Sequence, residues 1–214
     1  MAAMMARQMT VRDRLRAASF RVIRRMLALR RPSVCANRRT LRERHESVEE
    51  LSLRPAVASD VPALAALHVA TWNDTYAPLM TGPSAAVREQ QWRQAFDDPK
   101  SWFCYVLARP TGTLIGFTKG VIRPEHEIPG QLDKLFLSRD YQRMGLGRRL
   151  VGQVVERFLQ AGVKAMAAYV DPLNPSCGFF ERLGGHWLIE PAGHVNFNWY
   201  VWHDLAVLER YCRL

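Results

Sequence analysis

Leu135-Phe136-Leu137-Ser138-Arg139-Asp140-Tyr141-Gln142-Arg143-Met144-Gly145-Leu146-Gly147-Arg148-Arg149-Leu150 decides the fold of this chain. An apolar run enters a turn containing Gly-x-Gly, and an amphipathic helix follows at once. Leu146, Leu150, Val154 and Phe158 recur every four residues, with Val151, Val155 and Leu159 beside them, so one side of that helix is apolar. Arg148, Arg149, Gln153, Glu156 and Arg157 fall on the other side. The first turn of a helix has unpaired N–H groups and the positive end of the macrodipole, where carboxylates are expected. Here it carries Arg143, Arg148 and Arg149. Cations at that end repel it unless an anion lies among them, and a phosphate-bearing ligand is the simplest one to fit.

Spacing separates three kinds of phosphate-binding turn. A Walker loop needs Gly-x-x-x-x-Gly-Lys and then Ser or Thr, a string this sequence lacks. A Rossmann turn needs a third glycine where Leu150 stands. Gln142-Arg143-Met144-Gly145-Leu146-Gly147 fits Gln/Arg-x-x-Gly-x-Gly/Ala instead, and resembles the pyrophosphate loop of the GNAT superfamily, the acyl-CoA-dependent N-acetyltransferases. Two further segments extend the resemblance over about residues 51–205. Asn174-Pro175 leads to Phe179-Phe180-Glu181-Arg182-Leu183-Gly184-Gly185, similar to the superfamily's second signature. Upstream, Leu53-Arg54-Pro55-Ala56 with Ser59-Asp60-Val61-Pro62, and then His68-Val69-Ala70-Thr71-Trp72-Asn73-Asp74-Thr75-Tyr76, resemble its opening strand and helix.

Local signals set the order of elements. A short strand is expected at 51–54, and then a helix capped at Ser59 or Asp60 that presents Leu64, Leu67, His68 and Thr71 on one face. Ser84 caps a second helix through Phe96, closed by Asp97-Asp98-Pro99. Strands at 102–108 and 114–122 flank the hairpin signal Pro110-Thr111-Gly112. A strand at 132–137, the loop and long helix, a strand at 164–170, a helix at 176–183 and two strands around Pro191-Ala192-Gly193 complete the pattern. Early hairpins followed by strands alternating with helices give an α/β fold with a mixed sheet. The resemblance implies the GNAT fold, whose fourth and fifth strands splay apart and admit the pantetheine arm of coenzyme A.

The same resemblance assigns chemistry. Acetyl-CoA is the implied cosubstrate, with its pyrophosphate on Gln142, Arg143, Met144, Gly145, Leu146, Gly147 and Arg148. A main-chain N–H on the fourth strand faces the acyl carbonyl, a stretch occupied by Leu137 and Ser138. Asn174 matches a position that holds the pantetheine arm. An alkylamine is mostly protonated at neutral pH and benefits from a base. Asp133 on the fourth strand and Glu127 in the loop before it are the candidates, with Glu125 and His126 as neighbours. Relatives commonly carry a tyrosine at the Phe180 position, which protonates the departing thiolate. Its absence leaves Tyr169 or Tyr200 as substitutes, and makes a non-catalytic acyl-CoA-binding or sensing domain the alternative to an active N-acyltransferase. Trp72, Tyr76 and Trp92 are expected on the acceptor side. The acceptor is a primary amine on a small molecule or a protein.

The formal net charge of +10 is not spread over the chain. Residues 1–46 hold thirteen arginines against Asp13, Glu43 and Glu46, and the remainder is balanced. The expectation is therefore an Arg-rich extension over 1–48, disordered or loosely helical and dispensable for chemistry, ahead of a catalytic domain over 49–214. Within it Val11, Leu15, Ala18, Val22, Met26 and Leu29 follow helical spacing. An inert tail or over-long start, a targeting segment and a membrane-surface helix are the readings it admits. The balanced remainder carries no nucleic-acid footprint. No 18-residue apolar span predicts a membrane crossing. Cys35, Cys104, Cys177 and Cys212 have no paired spacing, which predicts a reducing, cytoplasmic setting without a metal site. A homodimer is compatible with all of this.

Overall fold

Residues 9–29, 32–76, 81–98 and 100–213 are described by the computed structural model, and they build one seven-stranded sheet in the order β1-β2-β3-β4-β5-β7-β6. Strands β1 (Ser52–Pro55), β2 (Trp102–Ala108), β3 (Leu114–Ile122) and β4 (Gly130–Leu137) form an antiparallel meander. β5 (Met166–Tyr169) lies parallel to β4, and β7 (Val195–Trp202) joins it to β6 (His186–Ile189). A parallel neighbour requires a crossover, supplied by the helix after β4. This is the mixed α/β sheet expected from the sequence. Pro99, expected to close the second helix, lies outside the described residues.

Seven helices among the described residues cover the sheet. On one face α3 (Val61–Tyr76) and α4 (Ala85–Asp97) place Leu64 and Trp92 against Val106 and Phe117. On the other, α5 (Leu146–Gln160) buries Leu146, Leu150, Val151, Val154, Val155 and Phe158, the stripe its spacing predicts. Successive strand residues point to opposite faces, so Leu107 meets Leu150 while Val106 meets α3 and α4. Each such side chain contributes roughly 1.5–3 kcal/mol on burial. The short α6 (Cys177–Arg182) follows β5. α7 (Leu205–Arg213) has no counterpart in the sequence reading, and it adds Leu205 and Leu208 to the core beside α5. No described helix is long and apolar enough to cross a membrane.

The Arg-rich segment differs from the expected disordered or loosely helical extension. It forms α1 (Val11–Ala28), with a capping box at Thr10 and Asp13, and α2 (Val34–Glu43), capped by Ser33. Both are fastened to the sheet domain. The α1 face read as apolar points to solvent: Leu15 is 66% exposed and Leu29 85%. The inward face carries Ala17 and Arg24, both buried. Arg24 reaches Glu181 at 2.9 Å and the Tyr200 hydroxyl at 3.3 Å, and Phe20 meets Phe197 edge to face. Charge pairing and contacts with the Phe197 and Trp187 rings, rather than the aliphatic repeat, set which way α1 turns.

Candidate active site

Pairing between β4 and β5 stops early. Gly130, Gln131 and Leu132 oppose Met166, Ala167 and Ala168, and no residue of β4 beyond Leu132 is paired with β5. The strands part at an irregularity on the other edge as well. Lys119 opposes Lys134 while Gly120 opposes Leu132, so Asp133 is a bulged residue without a partner in β3. A bulge re-aims its side chain, and this one opens the strand where β5 leaves it.

A cavity of about 780 Å³ follows that edge, from Arg143, Gly145 and Arg148 past Leu137 and Asn174 to Asp133 and Tyr76. At the first end the chain makes a 3-10 turn (Arg139–Tyr141), then Arg143 takes φ +69° and Gly145 φ +85°. Glycine suits the left-handed region, and Gly145 occupies the N-cap with no side-chain cap and no acid in the first turn of α5. The first N–H groups of α5 thus have no acceptor within the helix. Gln142 lines the cavity beside them. Its side-chain amide donates to the Leu137 carbonyl at 2.9 Å and closes the end of β4.

The two expected carbonyl-facing residues separate. The Ser138 N–H donates to the Ile115 carbonyl at 2.8 Å, so it is committed to β3. Directions alternate along an antiparallel strand, and the preceding N–H, that of Leu137, therefore points to the opposite edge, where β5 is missing.

The carboxylates separate too. Asp133 lines the cavity, its Oδ2 held by Lys134 at 2.8 Å and Lys119 at 3.4 Å. Burial alone would raise its pKa, but the two ammonium groups outweigh burial and hold the carboxyl below its ordinary value. Glu127 is exposed on the β3–β4 turn, away from the cavity lining, as is the Glu125–His126 pair. The two lysines were missed in the sequence. Their signal is a cation inside each of two strands, Lys119 in β3 and Lys134 directly after Asp133 in β4.

Asn174 joins the two sides of the cavity. Its Oδ1 accepts from the Ser176 N–H at 2.8 Å, which fixes the amide so that Nδ2 donates to the Tyr76 hydroxyl at 2.7 Å. The Tyr76 oxygen is thereby the acceptor, and its own proton is not used in that bond. Burial pushes the phenol up to about 12, so it stays protonated. Tyr76 lines the cavity and stacks obliquely on Trp72, whereas Trp92, expected with them, packs into the core with Phe117.

Neither tyrosine considered as a substitute acid is placed like Tyr76. Tyr200 is buried, donates to Glu181 at 2.9 Å and accepts from Arg24 at 3.3 Å. Burial, and then the neighbouring Cys177 and Glu181, push its pKa far up. Tyr169 lines the cavity, but its ring is largely exposed and its hydroxyl accepts from Asn198. Phe180 lies at the cavity wall among Phe179, Tyr200 and Trp202.

Comparison with known proteins agrees with this fold. The family model for the "Acetyltransferase (GNAT) family" matches residues 64–185. The uncharacterized N-acetyltransferase YuaI of Bacillus subtilis is 30% identical over 136 residues, 61% of this chain and 78% of that protein. The L-methionine sulfoximine/L-methionine sulfone acetyltransferase of Pseudomonas aeruginosa is 29% identical over 146 residues, 62% of this chain and 78% of that protein. Among solved structures, the PaiA N-acetyltransferase of Thermoplasma acidophilum in complex with coenzyme A superimposes with a TM-score of 0.54, covering 71% of this chain and 97% of that one at 17% identity. A GNAT acetyltransferase of Staphylococcus aureus gives a TM-score of 0.60, covering 72% and 99% at 10% identity.

Proposed function

The chain belongs to the GNAT family of acetyltransferases, and we propose that it moves an acetyl group from acetyl-CoA to the primary amine of a small zwitterionic acceptor. The observation that carries the cosubstrate is the open first turn of α5, acid-free and flanked by arginines, at the mouth of a cavity along the unpaired edge of β4. The N–H groups from Arg143 to Arg148 suit a pyrophosphate, and the unpaired edge suits an extended pantetheine arm.

Transfer forms a C–N bond and breaks the C–S bond, with that electron pair passing to sulfur and a nitrogen proton passing to solvent. The Leu137 N–H faces the carbonyl and stabilises the negative charge that develops on its oxygen. Asp133, ionised and low in pKa, orients the amine and is too weak a base to strip an alkylammonium with a pKa of about 10. The amine reacts from its neutral fraction, so kcat/KM climbs with pH below the acceptor's pKa. Tyr76 points its unused proton at the departing sulfur, in place of the hydroxyl that Phe180 lacks.

Lys134 beside Asp133 offers a cation and an anion on one wall, which matches the carboxylate and ammonium of an amino acid. The Pseudomonas relative is named for two such compounds. L-Methionine sulfone therefore leads the acceptor panel, with spermidine and a peptide N-terminus as contrasts and thiol release from acetyl-CoA as the readout. Faster turnover of spermidine than of the sulfone would exclude the zwitterion assignment. Coenzyme A binding without release by any amine would favour the sensing domain that Phe180 leaves open. Tyr76→Phe should lower kcat about 10²-fold with KM for acetyl-CoA unchanged, and adding Phe180→Tyr should restore part of it.

A further inference from the structure

The turn before α5 is held from a part of the chain that the family match does not include. Asn37 on α2 is 2% exposed, and its Nδ2 donates to the carbonyls of Arg139 and Gln142, each at 3.0 Å. A side-chain amide has two N–H protons, and two carbonyls take both. The residues between are gripped as well. Arg44 pairs with Asp140 at 2.8 Å, and Glu46 accepts from the Tyr141 hydroxyl. Leu41 is buried with Tyr141, Leu146 and Leu150. Every residue from 139 to 142 is thus fixed by 37–46, directly before Arg143 enters a left-handed conformation that a side chain disfavours.

The peptide plane gives this grip a direction. The Gln142 carbonyl and the Arg143 N–H belong to one trans peptide and point opposite ways. Turning that carbonyl toward Asn37 aims the Arg143 N–H away from α2. That N–H is the first donor of the proposed pyrophosphate turn.

We propose that Asn37 is a positioning residue for the cosubstrate, and that α2 is a built part of the coenzyme A site rather than a dispensable tail. The proposal rests on the assignment of the pyrophosphate to residues 143–148. Asparagine is required because aspartate, equal in size, has no proton for either carbonyl.

The test uses the full chain, with acetyl-CoA and the pyrophosphate-free donor S-acetylpantetheine. Asn37→Asp and Asn37→Ala should raise Kd for coenzyme A and KM for acetyl-CoA about 10- to 100-fold, the scale of a misplacement near 1 Å. KM for S-acetylpantetheine should not move. A merely structural loss would alter both donors together, and that result overturns the proposal, as does wild-type affinity in either folded variant. Amide exchange in the unmutated chain needs no variant to fold. Coenzyme A should slow exchange across 34–44 as well as 143–148, since coupling is reciprocal. Protection at 143–148 without any at 34–44 overturns the role of α2 alone. No protection at 143–148, or no preference of the wild type for coenzyme A over pantetheine, overturns the pyrophosphate assignment beneath it.

Discussion

Helices α1 and α5 carry similar sequence signals and obey them in opposite ways. Each repeats aliphatic residues at helical spacing with arginines alongside. In α5 the repeat is the buried face, and Leu150, Val154 and Phe158 have no exposed surface. In α1 the repeat faces water, and the side chain that enters the protein is Arg24. Periodicity therefore establishes that a segment is helical without saying which side turns inward. The inward side is chosen by what waits for it. For α5 that is two apolar sheet and helix surfaces, and for α1 it is Glu181, the Tyr200 hydroxyl and the Phe197 ring.

The comparison breaks most visibly at Phe158. Phe158→Ala should cost about 3–5 kcal/mol by leaving a cavity, whereas Leu15→Ala on the exposed stripe of α1 should stay within about 0.5 kcal/mol. Urea unfolding of both variants measures the contrast, and a comparable loss in Leu15→Ala would mean that the stripe of α1 is covered.

A polar side chain on the apolar face of a third helix gives the next largest effect. His68 of α3 is 2% exposed among Phe117, Phe136 and Trp92, and burial holds its pKa down to about 3. The unfolded chain takes up a proton near pH 6.5 that the folded chain refuses until about pH 3. Stability from this residue is complete above about pH 6.5 and falls as pH drops toward 3. His68→Leu should flatten that part of the stability–pH curve. An unchanged slope would place the acid sensitivity elsewhere.

Arg24 sharpens the comparison from the α1 side. Arg24→Ala should destabilise by about 1–3 kcal/mol, below the range for a fully buried pair because Glu181 is 38% exposed. Because α1 is held by charge, protease cleavage within 11–28 of the variant should quicken while cleavage near α5 does not. Equal rates in variant and wild type would show that Phe20 and Ala17 suffice.

What could be read from the sequence was local. Gly145, Arg143, Arg148 and the repeat through Phe158 lie within one turn and one helix, and their meaning needs no distant partner, whereas Arg149, expected beside them, turns away and donates to the Leu51 carbonyl at 3.4 Å. Asn174 was also legible as a site residue, though not its bond to Tyr76, since 98 positions separate them. Asp133 was legible as a carboxylate on β4 with Lys134 next to it, but Lys119 became a neighbour only through a strand register and a bulge. Ser138 and Leu137 looked equivalent until the Ile115 carbonyl claimed one of them. Asn37 gave no signal at all. It stands in an arginine-rich run whose composition suggested a solvated tail, and its two acceptors are backbone atoms that no side-chain pattern marks.

The early parting of β4 and β5 has a consequence for the protein's lifetime. From Asp133 onward β4 shows the gap a run of backbone donors and acceptors without a strand to meet them. Exposed edges of this kind are where sheets fray and where foreign strands add on. A pantetheine arm laid along it would act as the missing rung, completing the sheet as well as reacting in it. With the ligand at a hundred times its Kd, the folded state gains about 2.7 kcal/mol by mass action. With acetyl-CoA as the proposed cosubstrate, the protein would be sturdiest when that molecule is plentiful and easiest to unfold and degrade when it runs short, so that its abundance would follow the supply.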